Sequence, residues 1–347
     1  MESLLKAWDG EQVIIEFDRP TGAWIIIAIH SSRRGPAGGG TRMKTYPTME
    51  AALADALELA RGMSYKFAAA AMARGGGKAV IAVPPDLKPQ ARTDLLRRYG
   101  SLIARLGGMF QTGSDVGTSS ADMDIIAETG APYVFSRTVA AGGAGDSGPA
   151  TALGVLHGIS VTCEHLFGDA SLAGKRVLVQ GAGSVGGRLI AMLREAGAVV
   201  LFSDVDEAAI RHFRDEMGVS FVPPEVVYET PCDVFSPCAL GAILNQKTIP
   251  RLQCKAVVGS ANNQLARPED AELLHQRQIL YAPDFVVNVG GAMAIVGMET
   301  MGWSEAEANA RVIESVEQTL RQTFDLAEAQ QTSTAEAALS VAEARLR

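Results

Sequence analysis

Residues Lys175 to Leu193 read KRVLVQGAGSVGGRLIAML. A short β-branched run, RVLVQ, leads into Gly181, Gly183 and Gly186 at GxGxxG spacing, and a helical pattern follows at once. The glycine spacing alone is a weak signal. Between a buried strand and an opening helix it is the dinucleotide fingerprint. The first glycine allows a tight turn, the second lets backbone approach a pyrophosphate, and the third lets helix and strand pack closely. The free N–H groups and dipole of a helix N-terminus favour an anion. Gly181, Gly183, Ser184, Val185 and Gly186 are therefore candidate phosphate-binding residues. The next apolar run, VVLFSD, ends on Asp204, about twenty residues on, where an acid meets the ribose hydroxyls. A carboxylate there repels a 2′-phosphate, which favours NAD over NADP. Asp206 is a near neighbour that can share the role.

Working outward, the strand–helix alternation continues on both sides of this stretch and implies parallel strands with right-handed crossovers. Upstream, ATALGVLHGISVTCEHL reads as a helix. Before it, VAAGGAGDSGP (139–149) is glycine-rich and poor in large side chains, the composition of a hinge. The expected domains are 1–138 and 139–347. In the first, QVIIEFD and AWIIIAIH are β-branched runs around RPTG, a hairpin signal. TMEAALADALELARGMSYK opens on a cap, Thr48, and places Leu53, Leu57 and Ala60 at helical spacing. KAVIAV reads as a short buried strand that begins after three glycines, and RTDLLRRYGSLIARLG as another helix. The fold class is α/β: an N-terminal α/β domain, then a doubly wound dinucleotide domain, with two or three helices after Ser304.

The chain of 347 residues is 47% hydrophobic with a net charge of −8, enough to bury a sizeable core and without the basic tract a nucleic-acid partner requires. No basic segment followed by an apolar one opens the chain, and AWIIIAI is too short to span a bilayer. Cys163, Cys232, Cys238 and Cys254 form no CxxC pair and read as reduced thiols of a cytoplasmic protein. The histidines are scattered, without ligand spacing, so no metal site is expected.

Two lysines remain. GMSYKFAAAAMARGGGKAVI (62–81) sets Lys66 and Lys78 among alanine, methionine and glycine. It is not a P-loop: the GxxxxGK spacing fails at Met72, and Ala79 stands where Ser or Thr would hold magnesium. A lysine beside a second cation in a partly dry cleft loses its proton more readily and can serve as a general base. The loop FQTGSDVGT offers an acid, Asp115, for the same pocket. Lys66 alone is more often a snorkelling surface residue, and Asp115 alone more often a turn cap.

GPAGGGTRM, GMSYKFAAA, GGGKAVI, TGSDVGT, QGAGSVG, PCALGAIL, GSANNQL and YAPDFVVNVGGA, in that order over nearly the whole chain, resemble the glutamate, leucine, valine and phenylalanine dehydrogenases. The resemblance implies reversible NAD-dependent oxidative deamination, a cleft between two domains that closes, and a homo-oligomer assembled through the N-terminal domain. By motif match, Lys66 would bind the substrate carboxylate, Lys78 would activate water, and Asp115 would bind the amino group and shuttle protons. Asn262 would complete the carboxylate site. Thr151 and Asn288 would lie near the nicotinamide, with Cys238 and Ala239 also on the cofactor side.

For the substrate, glutamate-specific members resemble GPxKGG, with a lysine for the side-chain carboxylate. Here Gly38 stands at that position, so a glutamate carboxylate would be buried unpaired. An apolar substrate follows. The matching pocket walls are Gly38, Gly39, Gly113, Ala292 and Ile295. Small residues at Gly38, Gly113 and Ala292 leave room for a ring, which favours phenylalanine, with leucine or valine as the alternative. A silent NAD-binding sensor would be expected to have lost a lysine or the aspartate, and all three are present.

Overall fold

A computed structural model of the chain describes residues Met1–Leu346. It divides into two compact units. Unit 1 holds Met1–Asp146, Ile295–Ser304 and a C-terminal stretch that begins at Ala342; unit 2 holds Ser147–Ala294 and Glu305–Val341.

In unit 1, helix α1 (Glu2–Ala7) precedes the hairpin β1 (Gln12–Asp18) and β2 (Ala23–Ser31). Then follow β3 (Ala37–Lys44), α2 (Met49–Ala69), β4 (Gly75–Ala82), α3 (Pro89–Arg105), β5 (Phe110–Ser114) and α4 (Ser120–Gly130). The sheet order is β1-β2-β4-β3-β5. β1, β2 and β4 run antiparallel to their neighbours in that order, while β3 is parallel to both β4 and β5. β2 is a near-continuous apolar run because it is buried on both faces. Ile26 and Ala28 pack with Leu53, Ala56 and Ala60 of α2. Ile25, Ile27 and Ile29 face Leu95, Leu96 and Tyr99 of α3. The Thr48 side chain caps α2, accepting from Ala51 N–H as the sequence predicts.

One strand begins earlier than its sequence suggests. The glycines before Lys78 lie inside β4, not ahead of it. A Cβ on Gly75 would stand 2.1 Å from Ser31 O, and one on Gly76 2.0 Å from Ser64 N. The strand is glycine there because neighbouring backbone leaves no room for a side chain.

In unit 2, α5 (Gly148–Phe167), β6 (Arg176–Gln180), α6 (Ser184–Glu195), β7 (Val199–Ser203), α7 (Glu207–Ile210), β8 (Ser220–Phe221), β9 (Val234–Pro237) and β10 (Ala256–Val257) lead to α8 (Asp270–Gln276) and β11 (Leu280–Tyr281). Helices α9 (Asp284–Val287), α10 (Gly290–Met301), α11 (Glu305–Gln330) and α12 (Thr334–Leu346) complete the chain. The sheet order is β11-β10-β9-β6-β7-β8, all parallel. Its order turns about β6, so the GxGxxG loop sits at a switch point, where such sheets bind ligands.

The unit boundary falls at Asp146, inside the glycine-rich stretch 139–149 and later than the expected end of the first domain at 138. Hydrogen bonds hold this segment to unit 1. Thr138 N–H and hydroxyl donate to Asp124 at 3.1 and 2.6 Å, and Glu299 accepts from the backbone of Ser136 and Ala144, both at 2.9 Å.

Candidate active site

The lysine question resolves on one face of the unit 1 sheet. Side chains alternate across a strand, so Gly76 and Lys78 of β4, Gly38, Gly40 and Arg42 of β3, and Gly113 and Asp115 at and just beyond β5 share the face that α2 covers. Lys78 is 6% exposed. Its Nζ lies 2.9 Å from Asp115 Oδ2. Arg42 Nε donates to the same oxygen at 3.0 Å, and its Nη1 reaches Asp55 at 3.0 Å. Burial pushes the Lys78 ammonium below the ordinary lysine value, and Asp115 opposes that shift only in part. Burial would raise the Asp115 carboxyl, yet Lys78 and Arg42 hold it below the usual carboxylate range. The arrangement is a half-buried carboxylate beside a buried lysine that burial makes less ready to hold its proton. Such a lysine can take a proton from water, and the acid can pass one on.

Lys66 is half-buried in the last turn of α2. Where Gly76 meets Ser64, α2 rests directly on β4. Lys66 and Lys78 each lie two residues beyond that contact on their own element.

The pocket glycines do not leave room for a ring. A Cβ on Gly38 would lie 3.3 Å from the Phe67 ring, and one on Gly113 2.4 Å from the Phe135 ring. Phe67 is fully buried and Phe135 nearly so. The chain's own rings hold that space. Gly39 is a backbone requirement, since its Cβ would stand 1.8 Å from Gly77 O. Ala292 and Ile295 are one turn apart on α10. The reading that small residues enlarge the pocket for phenylalanine is therefore corrected at Gly38 and Gly113.

In unit 2 the fingerprint has the shape that its chemistry needs. Gly181 has φ +95°, and a Cβ on Gly186 would be 1.8 Å from Gly181 O. Gly183 faces open space at the N-cap of α6, and Ser184 and Val185 form the first turn of that helix. Ala239 and Cys238 pack against Gly181 and Gly186. Asp204 closes the loop, its carboxylate accepting from Ala182 N–H at 2.6 Å and Val205 N–H at 2.7 Å. A second cluster gathers on the same unit. Thr151 Oγ1 accepts from Gly291 N–H at 3.1 Å, and Asn288 Nδ2 donates to Asn262 Oδ1 at 2.8 Å. These residues fit a dinucleotide: the turn is open at Gly183 and closed to side chains at Gly186.

The description Glu/Leu/Phe/Val dehydrogenase, dimerisation domain, matches residues 15–131. Glutamate/Leucine/Phenylalanine/Valine dehydrogenase matches residues 142–209 and 202–347. The chain belongs to the Glu/Leu/Phe/Val dehydrogenase family. It is similar to leucine dehydrogenase of Geobacillus stearothermophilus, 40% identical over 99% of this chain and 92% of that one. It is similar to valine dehydrogenase of Streptomyces virginiae, 46% identical over 82% and 80%. Among solved structures, L-tryptophan dehydrogenase from Nostoc punctiforme aligns with a TM-score of 0.88 and 37% identity, over 100% of this chain and 98% of that one.

Sequence reasoning missed three residues of this dehydrogenase's site. Arg42 carries a signal in hindsight, since its strand parity matches Gly38 and Gly40. Phe67 directly follows Lys66. Phe135 has no local signal, because only the tertiary fold carries it to Gly113. For the cofactor loop, Gly186→Ala must displace the Gly181 carbonyl and with it the turn. NADH affinity should fall at least about tenfold, consistent with the loss of a pair of backbone hydrogen bonds to phosphate. Quenching of protein fluorescence by NADH measures it.

Proposed function

We propose that this dehydrogenase carries out NAD-dependent, reversible oxidative deamination of an apolar L-amino acid, with branched aliphatic substrates such as leucine and valine ahead of phenylalanine. The observation that carries the chemistry is buried Lys78 paired with half-buried Asp115 at 2.9 Å, backed by Arg42. The preference rests on the Phe67 and Phe135 rings over Gly38 and Gly113. Phenylalanine, favoured on the glycines alone, becomes the second reading.

In this proposal Lys66 holds the substrate carboxylate. Thr151 and Asn288 bound the nicotinamide. Gly181, Gly183, Ser184, Val185 and Gly186 hold the pyrophosphate, Asp204 the ribose, and Cys238 and Ala239 the adjoining wall. NAD, when bound by these residues, would supply the hydride acceptor for oxidation of the substrate at Cα. Lys78 accepts a proton from the water that attacks this carbon. Asp115 receives a proton from the substrate ammonium and returns it to the nitrogen as ammonia departs. The dimerisation-domain match supports assembly of copies through the N-terminal unit.

The test is NADH formation at 340 nm over L-leucine, L-valine, L-phenylalanine, L-tryptophan and L-glutamate. An aliphatic lead in kcat/KM is expected. If phenylalanine leads, the two-ring reading falls and the deamination stands. Phe135→Ala gives a sharper check. It empties the space over Gly113, and the phenylalanine-to-leucine ratio of kcat/KM should rise by about tenfold or more, within the range apolar pockets allow. Truncation of a buried ring costs about 3–5 kcal/mol of stability, so the melting temperature is read alongside.

A further inference from the structure

His30 is a nearly buried histidine that the reaction does not use directly. It sits at an irregularity in β2, because Ile29 pairs with Gly77 and Ser31 with Gly76, leaving His30 without a partner residue on β4. Bulges of this kind re-aim a side chain, often beside an active site. His30 Nδ1 lies 2.8 Å from Ser64 Oγ, and its Nε2 lies 3.2 Å from Asp9 Oδ1. Trp8 stands edge-on to its ring at 5.9 Å.

Ser64, His30 and Asp9 are ordered like a nucleophilic triad. Ser64 is fully buried, however, and a Cβ on Gly76 would fall 2.3 Å from its hydroxyl. Nothing can reach that oxygen, so the chain of bonds does not serve hydrolysis. Its effect is on placement. Ser64 is the point where α2 meets the bare backbone of β4, two residues before Lys66 on one side and two before Lys78 on the other. A glycine contact fixes how close α2 comes but not how it is rotated. The bond from His30 supplies the rotational restraint, anchored by Asp9 at the surface.

We infer that His30 is a positioning residue for the reaction: through Ser64 it sets where α2 presents Lys66 relative to Lys78. The inference rests on the proposal that Lys66 holds the substrate carboxylate.

Three variants separate this role from a merely structural one. His30→Asn keeps an acceptor at the Nδ1 position for Ser64. His30→Gln keeps a donor for Asp9 but loses Ser64. His30→Ala loses both. Steady-state kinetics with L-leucine, NADH affinity and melting temperature are measured for each. His30→Ala and His30→Gln are expected to raise the KM for L-leucine between about ten- and a hundredfold, the cost of misplacing a binding group by about an ångström. NADH affinity should be unchanged, and His30→Asn should stay near the parent KM. The inference is overturned if an active His30→Ala keeps the parent KM, or if KM across the three variants simply follows their melting temperatures. Failure of the parent enzyme to turn over any amino acid would overturn the role of Lys66 itself, and this inference with it.

Discussion

Lys78→Ala should abolish most turnover while leaving NADH affinity within about twofold of the parent. A positioned general base contributes about 10²–10⁴ in rate, and Lys78 is placed to act as both base and cation. We expect kcat to fall at least about 10³-fold. The fold should tolerate the change, because Asp115 keeps Arg42 as a partner at 3.0 Å. The parent pH profile tests the same assignment. Burial favours the neutral amine of Lys78, so its proton leaves below the ordinary lysine value. kcat/KM for deamination should rise as pH rises through that point and level off above it. Lys78→Ala should lose this alkaline limb. An alanine variant that deaminates at the parent rate, or keeps the limb, sinks the assignment.

Asp115→Asn is expected to combine an activity loss with a shift of that limb. The amide neither accepts a proton from the substrate nor holds the Lys78 charge. Removing one partner of a buried ion pair costs about 3–5 kcal/mol when the survivor stays charged. Lys78 can avoid that penalty by giving up its proton, so the melting temperature should fall more at acid than at alkaline pH. The sign follows from the direction of the shift. Without Asp115, Lys78 loses the interaction that raised its proton affinity, while burial and Arg42 still lower it. The alkaline limb should therefore move toward neutral pH as kcat drops about 10²–10⁴-fold. A kcat drop with an unmoved limb would show that Asp115 acts on the substrate but does not tune Lys78.

Much of this protein is decided by short-range signals. The hairpin around RPTG, the Thr48 cap of α2 and the strand–glycine–helix turn at Gly181–Gly186 each depend on residues a few positions apart, and each is legible without a structure. The same holds for Lys66 and Lys78, whose residue type and apolar setting in the sequence mark them as candidate functional residues. Pairings across the sheet are another matter. Lys78, Arg42 and Asp115 meet because β3 lies between β4 and β5 in parallel register, and strand order leaves no trace in local composition. Strand parity marks the face of Arg42, but its partner just beyond β5 is hidden for that reason. The glycines show the limit most clearly. Gly76, Gly39 and Gly113 look alike in sequence. One makes way for the backbone of α2, one for a carbonyl of β4 and one for the ring of Phe135. A missing side chain in the sequence says only that space is needed. What fills the space is decided by elements brought from elsewhere in the chain, because packing is a property of the surface that the whole fold assembles. The sequence by itself determined the family, the two-unit α/β architecture and the residue types of the chemistry; tertiary structure alone decided which charges pair and how much room a substrate is left.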